Sequence, residues 1–165
     1  MKWRYLAIGL GILVVIIVVG FPKLYRISQV NELGVRIQSG QAEAVRIMVE
    51  ANPKLLDSDL ILSGPRRDRL KPLSLAAGLG QTVICSNLLA LGANVNEVDK
   101  YKYTPLHKAI MAQETNVITL LVRNGADLTV KDFEGLTPMD WAKKVDTSGN
   151  LESLILAEAN LKTNR

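Results

Sequence analysis

Pro72, Pro105 and Pro138 stand 33 and 33 residues apart, and the residues around them agree: Lys71-Pro72-Leu73-Ser74-Leu75-Ala76, Thr104-Pro105-Leu106-His107-Lys108-Ala109 and Thr137-Pro138-Met139-Asp140-Trp141-Ala142. Gly92 and Gly125, each followed by alanine, keep the same interval, as do Asp99 and Asp132. A period of this length restricts the chain to a stacked array, because one such unit cannot bury its own apolar face and must cover it with its neighbours. Local chemistry says where the helices start and stop. Proline has no amide to leave unpaired in a first helical turn, and Thr104 or Thr137 before it can cap the orphan N–H groups. Gly92 and Gly125 permit the left-handed turn that closes a second helix.

The pattern continues through the second half of each unit. Gly80, Cys85, Leu88, Leu89 and Gly92 are followed at the same spacing by Gln113, Ile118, Leu121, Val122 and Gly125, then by Asp146, Leu151, Leu154 and Ile155 without a closing glycine. A looser first unit has Leu33, Gly40, Val45, Met48, Val49 and Asn52, and its offset places about seven extra residues within 57–69. The T-P-L-H-x-A motif at this period resembles the ankyrin repeat. The resemblance implies an all-α solenoid of about four helix-turn-helix repeats, at 31–63, 70–101, 102–134 and 135–163, forming a domain over 31–165. The first and last units, being irregular, would act as caps.

Residues 6–21 are an unbroken apolar run of sixteen, bracketed by Lys2, Trp3, Arg4 and Tyr5 on one side and by Lys23, Tyr25 and Arg26 on the other. At 1.5 Å per residue the run covers about 24 Å, enough for a short membrane span once flanking side chains snorkel. We expect residues 1–30 to be one N-terminal transmembrane helix, contacting the bilayer through 5–24, with a short linker. A cleaved signal peptide and a helix packed inside the domain are the rivals. The bases crowding the first four residues favour an N-terminus inside the cytoplasmic (inner) membrane and a periplasmic repeat domain.

The formal charge of +4 invites a nucleic-acid reading, yet four of the 20 bases lie within residues 1–30, where there is no acid. The remainder holds 16 bases against 16 acids, so no general footprint for phosphates is expected. One cysteine and one histidine cannot build a disulfide or an N/S zinc site within one chain. No metal, cofactor or small-molecule substrate is expected, and no grouping of acid, base and nucleophile suggests an enzyme. Gly78-Leu79-Gly80 lacks the third glycine of a nucleotide loop. Arg66-Arg67-Asp68-Arg69 reads as a solvated loop or an anion contact.

What remains is binding of another protein. In the resembled family partners meet the loops joining repeats and the concave side, which here points to Lys100, Tyr101, Tyr103, Phe133, Glu134 and Leu136 in the loops. Leu79, Met111, Ala112, Lys144 and Val145 would line the concave side. The aromatics are either interface anchors or packing between adjacent loops. His107 is given a structural role, hydrogen-bonding within and between turns, and Cys85 an inert place in the core. Small bacterial membrane-anchored ankyrin proteins, which the chain resembles, serve as immunity proteins against a toxic effector or as accessories to oxidative-stress enzymes. An envelope scaffold with several weak partners is the alternative.

Overall fold

The computed structural model describes residues 21–61 and 69–163. Eight α-helices follow one another in four pairs: α1 Phe21–Gln38 with α2 Ala42–Ala51, α3 Pro72–Gly78 with α4 Thr82–Ala90, α5 Pro105–Met111 with α6 Thr115–Arg123, and α7 Pro138–Val145 with α8 Asn150–Thr163. The first helices α1, α3, α5 and α7 pack side by side in one layer, and α2, α4, α6 and α8 form the second. The core is a strip between the layers. Val45, Cys85, Ile118 and Leu151 occupy corresponding places along it, all buried. Burial pushes the Cys85 thiol up to about 12, because the apolar core disfavours the thiolate.

Both threonines cap their helices. Thr104 Oγ1 accepts the His107 N–H at 3.3 Å while His107 Nδ1 accepts the Thr104 N–H at 3.2 Å. Thr137 Oγ1 and the Asp140 carboxylate make the same reciprocal pair at 3.2 and 2.9 Å. Lys71, at the equivalent place before Pro72, makes no such bond. Its role falls to Glu97, which reaches back from the loop after α4 to accept the Ser74 N–H at 3.1 Å. Gly92 and Gly125 close α4 and α6 at φ 95° and 94°.

Three features extend the pattern read from sequence. Residues 22–30, expected as a linker, are already helical in α1 and continue straight into the first repeat. No breaker follows Pro22 until Gly34, and Val30, Leu33 and Ile37 share the face turned to the stack. The insertion after α2 adds a 3-10 turn, Pro53–Leu55, and a two-residue antiparallel ladder, β1 Leu60–Ile61 with β2 Arg69–Leu70, a small ribbon on an otherwise all-α stack. Leu60 is buried against α1, and Lys71 ties the base of the ribbon to the Asp57 carbonyl at 2.6 Å and to Asp59 at 3.0 Å. At the far end α8 lengthens to 14 residues. The Arg123 guanidinium clamps it with two bonds to Glu158, at 2.7 and 2.9 Å.

Among the described residues no helix is long and apolar enough to cross a membrane. The expected anchor over 5–24 lies, except for its last four residues, outside the described residues.

Candidate protein-binding face

The loops joining the repeats are built on two aspartates. Asp99 Oδ1 accepts the N–H groups of Tyr101 and Tyr103, both at 2.9 Å. Asp132 Oδ1 accepts those of Glu134 at 2.8 Å and Leu136 at 3.0 Å. Each loop is closed by a backbone bond across its base, Asp99 N–H to the Tyr103 carbonyl and Asp132 N–H to the Leu136 carbonyl. The second carboxylate oxygen takes a donor from the following first helix: Lys108 Nζ at 2.9 Å for Asp99, and the Trp141 indole N–H at 2.7 Å for Asp132. Lys108 and Trp141 are themselves 33 residues apart. Burial alone would raise the Asp132 carboxyl, but the Trp141 N–H and the backbone donors of Leu136 and Glu134 prevail and hold it below the usual range. Each finger is therefore rigid from within.

On these rigid turns the aromatics gather. Phe133 donates its N–H to the Tyr101 carbonyl at 3.0 Å, joining the two fingers, and their rings lie 5.6 Å apart. Tyr101 is 39% and Phe133 57% exposed, so both can meet a partner. Tyr103 differs: at 8% exposure it is packed beneath them, edge-on to Phe133 at 5.9 Å and to Trp141 at 6.1 Å, with Lys108 Nζ 4.4 Å from its ring centre. Its place is under the patch, where it supports the other two rings. The turn between them explains the difference: Asp99 holds the N–H groups on either side of Lys102, whose left-handed φ of 60° breaks the alternation that would put Tyr101 and Tyr103 on one side.

Around the rings, Lys100 holds its ammonium 4.6 Å from the Tyr101 ring centre, and Lys144 lies 4.3 Å from that of Trp141 and 3.6 Å from the Glu134 carboxylate. Leu136 is half-buried. Its carbonyl accepts from His107 Nε2 at 3.4 Å, which with the Thr104 N–H on Nδ1 fixes the neutral Nε2–H form. Burial lowers the His107 pKa, which disfavours the charged ring, and through the Leu136 carbonyl this side chain links two repeats. Leu79, Met111 and Ala112 are exposed at the ends of α3 and α5. Val145 is half-buried, and its carbonyl accepts from Gln113 Nε2 at 3.3 Å. The structure thus brings Lys100, Tyr101, Phe133, Glu134 and Lys144 into one patch, whereas Leu79, Met111 and Ala112 stand at the ends of α3 and α5 with no contact to it given by the fold. Among the described residues no three His, Cys, Asp or Glu side chains gather to hold a metal ion.

The interval between Asp99 and Asp132 is visible in the sequence, but the work of the two carboxylates is not. The matching interval between Lys108 and Trp141 was the signal for it: two donors of different chemistry in one place, facing one kind of acceptor. Glu97 was missed altogether.

Comparison with known proteins bears on the same residues. A family model described as ankyrin repeats (3 copies) matches residues 33–132 and again 73–162. Rabankyrin-5 of Mus musculus is 41% identical over 96 residues, which are 56% of this chain and 8% of that protein. Neurogenic locus notch homolog protein 1 of Xenopus laevis is 37% identical over 90 residues, 54% of this chain and 4% of its own length. The Neurogenic locus Notch protein of Drosophila melanogaster is 36% identical over 90 residues, 54% of this chain and 3% of its own. The chain thus spans less than a tenth of each of these relatives.

Proposed function

The chain belongs to the ankyrin repeat family, whose repeats are protein–protein interaction modules, and on that premise we propose that it is a membrane-anchored binder of one envelope protein. The observation that carries the binding face is the exposed Tyr101–Phe133 pair, preordered by the inter-finger hydrogen bond and by two inward-turned aspartates. Rigid, amphipathic rings lose little entropy on binding and are frequent anchors of interfaces. The anchor is proposed from the apolar run at 6–21 with its aromatic and basic flanks, and the periplasmic side from the bases before it. Helix α1, which covers residues 21–38, would hold the stack close to the bilayer. Immunity to a toxic effector, or service to an envelope enzyme, suits a single short stack offering one preordered patch.

The test is partner capture from cross-linked, detergent-solubilised cells, run on the native chain and on Tyr101→Ala/Phe133→Ala. Tyr103 is left intact because it is packed. We expect one dominant protein that disappears from the variant, and sensitivity of gene-deleted cells to that protein if it is a toxin. The same weak set in both samples would sink the fingertip reading and favour an envelope scaffold. A C-terminal alkaline-phosphatase fusion is expected to be active, and an inactive one would overturn the periplasmic placement.

A further inference from the structure

Three side chains of the loop after α4 are tied in three directions. Asn96 reaches forward, accepting the Asp127 N–H at 2.8 Å and donating to the Gly125 carbonyl at 3.2 Å, while Asp99 binds its own finger. Glu97 reaches back, and its Oε1 accepts the Ser74 N–H in the first turn of α3 at 3.1 Å. The carboxyl that does this is buried, Glu97 being only 8% exposed. Helix α3 brings no titratable side chain to it. At the base of the ribbon Lys71 and Asp57 act on it with opposite signs, but Lys71 is already held by the Asp57 carbonyl at 2.6 Å and by Asp59 at 3.0 Å, and Arg69 faces Asp59 at 4.0 Å. On its own loop Asp99 is taken by Lys108, and Lys100 lies over the Tyr101 ring. The Ser74 hydroxyl is the one buried side-chain polar atom among the described residues without a hydrogen-bond partner, so the contact is not tightly knit. A charge on Glu97 would therefore lie out of water with no base to itself among the described residues.

From these contacts we propose that Glu97 is a proton-operated latch between the loop after α4 and the start of α3: neutral, it stays seated on Ser74, and ionised, it leaves for water and lets the first turn of α3 open while the rest of the stack stays folded. No other group replaces it, since Lys71 before Pro72 makes no side-chain cap and the Ser74 N–H loses its acceptor when Glu97 departs. The loop itself keeps its place, because the bonds of Asn96 and Asp99 do not involve this carboxyl. Burial pushes the Glu97 carboxyl from 4.5 up to about 7, so the ratio of open to closed rises about ten-fold per pH unit between those values and is level above them. Helix α3 packs between α1 and α5, which puts the latch at the joint between the first repeat with its ribbon and the remainder of the stack. That joint is tight in acid and looser at neutral pH.

The test is amide hydrogen exchange read by NMR on the full chain in detergent, with each rate corrected for the intrinsic rate at its pH. The Ser74 N–H and the Leu75 N–H, which donates to the Lys71 carbonyl at 2.9 Å, report the latch. The Leu121 N–H in α6 reports the stack as a whole. Between about pH 5 and about pH 8 we expect protection at Ser74 and Leu75 to fall at least about ten-fold relative to Leu121. In Glu97→Gln, which keeps an acceptor and cannot ionise, the same ratio should stay level. Level protection in the native chain would mean that the ionised carboxylate remains seated, and would overturn the latch. An equal fall in Glu97→Gln would assign the opening to another group. A fall shared by Leu121 in full would mean that the stack opens as one, with no local device at α3.

Discussion

Glu97 shows how one side chain can do a neighbour's work at a cost. Repeats three and four cap their first helices with a threonine from within, but repeat two has Lys71 there, and the missing acceptor is delivered by a carboxylate from the following loop. Glu97 is buried, and burial pushes its carboxyl up to about 7, against the downward pull of the Ser74 bond and the Lys71 charge, with Asp57 adding to the rise. The usual value is 4.5, so between that and about 7 the folded chain holds a proton that the unfolded chain has released. Stability from this group therefore falls as pH rises through that window, by up to about 1.4 kcal/mol per pH unit, and is level above it. His107 acts in the opposite sense: burial lowers its pKa, so the unfolded chain takes the proton first and stability falls as pH drops below 6.5. The difference between variants, not the absolute curve, isolates Glu97. The melting temperature of Glu97→Gln minus that of the native chain should climb from pH 4.5 to 7 and then flatten. Parallel melting curves across that range would show that Glu97 ionises as freely in the fold as outside it.

At the scale of elements, the short first helices depend on their caps. Helix α5 has only seven residues, so one lost cap removes a large share of its order. Thr104→Ala deletes the acceptor for the His107 N–H and the hydroxyl 2.8 Å from His107 Nδ1, and should cost about 1 kcal/mol of stability. Hydrogen exchange should show the first-turn amides of α5 opening before those of α6, and unchanged protection there would deny the cap its importance. These helix starts were legible in the chain because proline and threonine act locally, through their own backbone. So were Gly92 and Gly125. What stayed hidden was set by tertiary contact. The Leu60–Leu70 pairing joins residues across an insertion with no alternating pattern of its own, and the burial of Tyr103 beside exposed Tyr101 follows from a turn held by Asp99. Of the candidate face, the composition was readable and the depth was not. Three aromatics at fingertips could be counted, but only the fold tells the two that face outward from the one beneath.

Across the whole molecule, each repeat touches only its neighbours, so stability is a sum of units and of the interfaces between them. A lesion then matters according to how many interfaces it breaks. Leu121 in α6 is fully buried in the third repeat, with α4 on one side and α8 on the other. Ile155 in α8 is equally buried but belongs to the last helix, which α6 and α7 cover from one direction only. Truncating either to alanine leaves a cavity and costs about 2–5 kcal/mol of local packing. The consequences should diverge. Leu121→Ala weakens the joint between the two halves of the stack, and the fingers carrying Tyr101 and Phe133 sit on either side of that repeat, so their register should loosen with it. Ile155→Ala should instead let α8 fray, resisted by the Arg123–Glu158 clamp, while the patch keeps its geometry. Hydrogen exchange on the Phe133 N–H, the donor that joins the fingers, reads this directly: it should speed up in Leu121→Ala and stay near native in Ile155→Ala. Equal acceleration in both would mean that the stack unfolds as a single unit, and that the patch draws its order from the whole array rather than from the two repeats that carry it.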